Sequence, residues 1–188
     1  SLEGRALYRL EVTDFESDVP REKRWVHFFA NQHPGEHNSQ WRMAGMIDWM
    51  LSDEAADFRK RSIGYFVPMM SPDAPSKGWY RVNKEGYDMN RTYLHKGADK
   101  ANQAHEAYIV QKDLEALMAS EAPPVTAWSI HTWGGKTDPR IIAGPEMTKD
   151  GLGPWTELRD QAERHDVPYV FCTMETRPLT EDNATQWT

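Results

Sequence analysis

Two side chains that suit a metal stand three residues apart in His33-Pro-Gly-Glu36. A neutral imidazole and a carboxylate are both ligands for Zn²⁺, and a catalytic zinc takes three protein ligands and keeps a fourth position open. The third candidate is His131, the last residue of the apolar run Val125-Thr-Ala-Trp-Ser-Ile-His131. His33 and Glu36 likewise follow an apolar run, Trp25 to Ala30. Two strand ends would then supply three ligands at one edge of a sheet. The same stretch, with His37, also spells H-x-x-E-H, in which both histidines bind metal from one helix face and the glutamate is the base. Pro34 lacks an N–H and Gly35 is a poor helix former, which argues against that helix. His37 is then a neighbour of the site, not a ligand.

The elements that must position these residues alternate between strands and helices. Ala6 to Val12 alternates apolar and polar, as a half-buried strand would, with Ala6, Tyr8, Leu10 and Val12 on one face. The central strand Trp25 to Ala30 follows a charged turn. Asn38 or Ser39 can cap a helix with Met43, Met46, Ile47, Met50 and Leu51 on its apolar face. Arg61 to Pro68 reads as the next strand. Ser71 to Gly86, broken by Pro72 and Pro75, reads as a long loop of the functional kind. A helix over about Asp99 to Ser120 turns Ala101, Ala104, Tyr108, Leu114, Leu117 and Met118 inward. Pro123-Pro124 then opens the strand to His131. Thr132 to Gly153 reads as irregular, Pro154 starts a short helix through Ala162, and a last strand, Pro168 to Thr173, delivers Glu175. This order implies an α/β sheet with helices on its faces. In such sheets ligands collect where strand ends meet loops, and His33, Glu36, His131 and Glu175 all fall there.

Composition narrows the class without choosing a chemistry. The 188 residues suffice for one domain, 1–188, with a sizeable core. A net charge of -7 argues against a nucleic-acid or anionic-membrane surface. No apolar run approaches the ~18 residues of a membrane span, and a mean hydropathy of -0.77 describes a soluble globule. The single cysteine, Cys172, excludes an internal disulfide and reads as a small core residue. No signal peptide is visible, and compartment is left open, because the chain starts at Ser1 and opens almost directly into a strand.

Six segments, taken in order, resemble the zinc carboxypeptidase family, the funnelin-type metallocarboxypeptidases, and above all its cytosolic-carboxypeptidase-like branch. They are Ser1-Leu-Glu-Gly-Arg5, His33-Pro-Gly-Glu36, Val67-Pro-Met-Met-Ser-Pro-Asp73, Gly86-Tyr-Asp-Met-Asn-Arg91, Ser129-Ile-His131-Thr and Phe171-Cys-Thr-Met-Glu175-Thr-Arg. The resemblance implies a mixed, mostly parallel twisted sheet with helices on both faces, trimmed here at both ends. It implies one zinc ion on His33, Glu36 and His131. Glu175 matches the general base, and Asn90 with Arg91 the pair that grips a substrate's C-terminal carboxylate. Arg81 lies where this branch keeps an arginine that polarises the scissile carbonyl.

Physical chemistry suits these roles. Zinc lowers the pKa of bound water to about 7, a nearby carboxylate can take and return the proton, and guanidinium forms a fork that matches a carboxylate. Read from the residues alone, however, Asp88 and Arg91 are more simply a surface ion pair worth under about 1 kcal/mol. Arg81 is more simply a solvated loop arginine, since loop arginines are usually exposed, and Glu175 is one acidic residue among many.

The resemblance has departures. Ser71-Pro-Asp-Ala stands where Asn-Pro-Asp-Gly is usual, and the region between His131 and Glu175 is compressed. That region normally carries the substrate-contacting tyrosine. Tyr169, the only tyrosine there, lies inside the last strand and takes no such role. The expected activity is removal of a C-terminal residue from a peptide or a peptidoglycan stem. Two other classes stay open: an aspartoacylase or succinylglutamate desuccinylase-type hydrolase of small N-acyl amino acids, and a non-catalytic binding module of the same fold.

Overall fold

In the computed structural model, residues 1–94, 96–132, 140–143, 164 and 170–173 are described. They fall in two compact units, one within Ser1–Thr132 and one within Trp133–Asn183. The first unit is built on a four-stranded sheet in the order β1-β3-β2-β4, with β1 Leu10–Val12, β2 Trp25–Asn31, β3 Ser62–Val67 and β4 Pro124–Ile130. β2 runs parallel to both β3 and β4, and β1 is antiparallel to β3. Parallel neighbours need crossovers, which here are helical. α1 (His37–Leu51) and α2 (Ala56–Arg61) join β2 to β3, and α3 (His105–Met118) precedes β4.

Strand alternation sorts the core into two layers. Val26, Phe28 and Ala30 of β2 join Ile63, Tyr65 and Val67 of β3 on the face covered by Ala107, Val110 and Leu117 of α3. Phe29 and Phe66 point the other way and meet Met43 and Met50 of α1. Gly64 permits that approach, since a Cβ there would lie 2.7 Å from the Met50 sulfur. A mixed, mostly parallel sheet with helices on both faces is therefore what this α/β chain forms. In the second unit, β5 (Arg140–Ala143) pairs in parallel with β6 (Val170–Thr173).

Several expected boundaries move. Only Leu10–Val12 of the alternating segment is strand, and its expected inner face is partly outside. Tyr8 is 69% exposed and Leu10 41%, while Leu7 packs against the core instead. The helix after the metal-type loop begins at His37, so neither Asn38 nor Ser39 precedes it as a cap. Ser39 is buried, with its hydroxyl between Asn31 Oδ1 (2.8 Å) and the Glu36 carbonyl (2.5 Å). Leu51 is exposed.

α3 starts at His105, not Asp99, because Asp99 turns the chain first: its carboxylate accepts the Ala101 N–H (2.9 Å) and the Asn102 amide (2.6 Å). Its buried face is Glu106, Ala107, Val110 and Leu117, and Met118 and Ala101 are exposed. β5 falls in a stretch expected to be irregular. The short helix expected after Pro154 lies outside the described residues. No described helix is long and apolar enough to cross a membrane.

Candidate metal centre

The parallel strands β2 and β4 end side by side, and the site lies just past those ends. β2 runs into Gln32 and His33, with the Gln32 N–H on the Ile130 carbonyl at 3.3 Å. β4 ends at Ile130, so His131 arrives beside the same loop. Its backbone carbonyl accepts from Arg42 Nη1 of α1 at 2.9 Å. Gln40 of the same helix donates to the Pro34 carbonyl at 2.6 Å. The loop thus hangs from the first turns of α1.

Three expected ligands converge. One ligand atom each from His33, Glu36 and His131 lies within 4.8 Å of the others. His33 Nδ1 faces Glu36 Oε1 at 2.8 Å, and His131 Nδ1 faces Glu36 Oε2 at 3.2 Å. The two rings stand 4.7 Å apart, centre to centre. His33 and Glu36 are fully buried, at 0% and 1% exposure.

Burial by itself pushes the Glu36 carboxyl up. The hydrogen bonds that His131 and the Thr132 N–H (2.7 Å) give it overcome that and hold the group far below the usual carboxylate range. His37, by contrast, is exposed at the start of α1 and outside this group, so the H-x-x-E-H helix is not what the chain builds.

The chemistry of the donor set fits a metal ion. His33 lies between two carboxylates, because its Nε2 meets Asp88 Oδ1 at 2.8 Å. Ionised carboxylates only accept hydrogen bonds, and a neutral imidazole has one N–H. With that proton on Nε2, toward Asp88, the Nδ1 lone pair points at the Glu36 carboxylate. A cation between those two atoms resolves the opposition, and a carboxylate on the outer nitrogen is the usual support of a metal-bound histidine.

Arg81 bridges the same carboxylates. Its Nη1 donates to Glu36 Oε1 (2.7 Å) and its Nε to Asp88 Oδ2 (3.2 Å). It is therefore not a solvated loop arginine. Nor is Asp88 simply a surface partner of Arg91. Burial raises the Asp88 carboxyl, and His33, Arg81 and the Asn90 N–H outweigh it, for a net shift below the usual value.

Asp88 is the residue that sequence reasoning missed. Its signal was its place two residues before Asn90, which it caps by accepting the Asn90 N–H at 3.0 Å. Asn90 and Arg91 follow on a 3-10 turn, Met89–Arg91. Asn90 is buried, and Arg91 is exposed with Nη1 on the Asn90 carbonyl at 3.3 Å. Glu175 lies outside the described residues.

The model of one family, described as zinc carboxypeptidase, matches residues 1–137. The chain belongs to the zinc carboxypeptidase family. It is 39% identical over 97 residues to cytosolic carboxypeptidase 2 of Danio rerio, a match taking in 50% of this chain and 14% of that protein. The human protein of that name is also 39% identical, over 98 residues, covering 50% and 11% of the two chains.

Among solved structures, a metallo-carboxypeptidase from Pseudomonas aeruginosa, in complex with (2-guanidinoethylmercapto)succinic acid, superposes with a TM-score of 0.65 at 25% identity. That match covers 100% of this chain and 48% of the other. A carboxypeptidase A-like structure from Shewanella denitrificans, 21% identical with a TM-score of 0.69, shares the fold. The chain thus spans under half of these relatives. The family uses zinc, and His33, Glu36 and His131 are the group of possible metal ligands among the described residues.

Proposed function

We propose that this chain carries the reaction centre of a zinc-dependent carboxypeptidase, which hydrolyses the bond to the last residue of a peptide. The observation that carries the reading is the convergence of His33, Glu36 and His131, with Asp88 behind His33. His33, Glu36 and His131 would hold the ion. When bound, zinc supplies a water acidic enough to act near neutral pH and a Lewis acid for the carbonyl.

The remaining roles belong to the chain's own side chains. Asp88 holds the proton of His33 on Nε2, which leaves Nδ1 as the donor. Arg81, 37% exposed at the side chain and anchored on Asp88, is a fixed cation at the rim of the site. It would face the carbonyl oxygen as negative charge grows there, which favours the transition state over the ground state. Asn90 and Arg91 would take the terminal carboxylate, Arg91 with its exposed guanidinium and Asn90 with its amide. Glu175 is assigned the proton transfer from the attacking water to the leaving amine on the resemblance alone.

The relatives named above speak for a peptide rather than a peptidoglycan stem. The succinic acid compound bound to the Pseudomonas protein carries carboxylates, the group that Asn90 and Arg91 are proposed to read. The test is metal analysis of the purified chain together with turnover of blocked dipeptides and N-acyl amino acids. Stoichiometric zinc and cleavage of the dipeptides are expected. Turnover of N-acyl amino acids alone would move the chain to the small-amidohydrolase class. Zinc without turnover of either would make it a binding module.

A further inference from the structure

The loop that joins Arg81 to Asp88 is closed on itself and filled from within by one amide. Val82 and Asp88 form an antiparallel bridge at its neck. The Asn83 N–H donates to the Tyr87 carbonyl at 3.0 Å, and the Gly86 N–H to the Asn83 carbonyl at 3.0 Å. Gly86 takes φ +82°, a conformation that glycine adopts without strain. Asn83 Oδ1 accepts from the N–H groups of Glu85 (3.0 Å) and Tyr87 (3.1 Å). Lys84, Glu85, Gly86 and Tyr87 are exposed, but Asn83 is 1% exposed.

The other side of that amide meets a buried carboxyl group. Asn83 Nδ2 donates to Glu106 Oε2 at 2.9 Å, and Glu106, in the first turn of α3, is 0% exposed. Its second oxygen is buried with no hydrogen-bond partner among the described residues. A buried carboxyl group without hydrogen bonds is costly, so the Asn83 amide is held firmly. Two loop N–H groups claim its oxygen, which fixes the way the amide faces: NH₂ toward Glu106 Oε2, oxygen toward the loop. The two ends of the loop are Arg81 and Asp88, the residues that reach Glu36 and His33.

We propose that the buried Glu106–Asn83 pair is a positioning element of the metal centre. It sets the 82–88 loop so that Arg81 and Asp88 stand against Glu36 and His33. The inference rests on reading that centre as the one that works. No described hydrogen bond joins Glu106 or Asn83 to His33, Glu36 or His131, so the pair acts through Arg81 and Asp88.

The polarity of the pair supplies the test. Asn83→Asp keeps the shape and the loop acceptor but sets carboxylate against carboxylate. Glu106→Gln alone keeps a hydrogen bond. The double variant reverses the donor and acceptor and restores the contact. At a temperature where circular dichroism shows every variant folded, zinc affinity is measured by chelator competition and turnover on a blocked dipeptide.

Outer supports of a metal site are worth 10–100-fold, and one step further out N83D should lose about tenfold in zinc affinity and about tenfold in kcat at similar KM. The double variant should return to within about twofold of E106Q. If N83D does not fold, Asn83→Ala, which adds no charge, carries the same expectation. The downfield Nε2–H resonance of His33, held by Asp88, should be present in the native chain and the double variant and lost in N83D.

A lower Tm with unchanged zinc affinity, kcat and resonance in N83D, or in Asn83→Ala, would overturn the positioning role. So would a double variant no better than N83D. Native protein that keeps the resonance but neither binds zinc nor cleaves peptide would overturn the reading of the site instead, and the resonance would still decide the inference.

Discussion

Asp88 Oδ1 stands 2.8 Å from Nε2 of His33, across 55 residues of sequence, and turns the other nitrogen of that ring toward Glu36. The carboxylate fixes one tautomer and one ring orientation, the two properties that a ligand histidine needs. Asp88→Asn keeps the volume, but an amide that gives its oxygen to His33 turns its NH₂ toward Arg81, donor against donor. Zinc affinity should fall about 10–100-fold, as for other outer partners of metal ligands. Competition against a chromogenic chelator measures it, and an unchanged constant would show that Asp88 merely borders the site.

Gly35 is the point where the Tyr80 backbone presses on the ligand loop. Its N–H donates to the Tyr80 carbonyl at 2.8 Å, and a Cβ on Gly35 would sit 2.7 Å from Tyr80 Cα and 2.3 Å from Cδ2. Gly35→Ala must therefore displace backbone next to Arg81. A stability loss of about 1–3 kcal/mol in denaturant titration is expected from overpacking, with zinc affinity falling in parallel. Trimming the ring cannot help, because the clash with the Tyr80 main chain persists: Gly35→Ala with Tyr80→Ala should stay as impaired as Gly35→Ala. Recovery in the double variant would place the clash in the ring alone.

The three residues that converge were legible because each stands where an apolar run stops. His33 and Glu36 follow Trp25 to Ala30, and His131 closes Val125 to His131. The sheet read well because β3 is largely apolar: Ile63, Tyr65 and Val67 on one face and Phe66 on the other are all covered. Asp88 was not legible in its role, since a contact between residues 33 and 88 leaves no local pattern.

The start of α3 failed for a different reason. Apolar spacing runs back through Ala101, but the Asp99 side chain offers its own backbone neighbours a competing partner. The first strand failed in phase. The residues just before it are tied elsewhere: Asp73 accepts from the Ser1 hydroxyl (2.7 Å), the Glu3 N–H (3.0 Å) and Arg5 Nη1 (2.7 Å). Arg9 lies over the Tyr65 ring at 4.5 Å.

That Asp73 anchor gives a pH prediction. Burial raises its carboxyl, and the Ser1 hydroxyl, Arg5 and the Glu3 N–H outweigh it, so the folded pKa is below the unfolded value. A depressed carboxylate contributes stability that is fully present above its unfolded pKa of about 3.9 and lost as pH falls through the folded value. Denaturant midpoints of the native chain should thus decline below about pH 4. Asp73→Asn should be less stable near neutrality and decline less steeply in acid. Parallel curves for the two proteins would mean that Asp73 contributes nothing through its charge.

The last prediction concerns which end of the substrate is read. If Arg91 takes a terminal carboxylate, affinity depends on a free C-terminus, and Arg91 is exposed and able to meet one. Amidation removes the charge and half of a bidentate pair. A hydrogen bond to a charged group is worth about 1.5–3 kcal/mol, so kcat/KM should drop roughly ten- to a hundredfold. Arg91→Ala should cost a similar factor on the free acid and almost nothing more on the amide, because the two changes delete one interaction. Arg91→Lys should recover only part, since an ammonium is a point charge without the fork. A small N-acyl amino acid also carries a carboxylate, so length separates the two chemistries: the carboxypeptidase should accept blocked dipeptides and longer peptides alike. Equal turnover of free and amidated peptides would remove the carboxypeptidase reading while leaving the metal centre untouched.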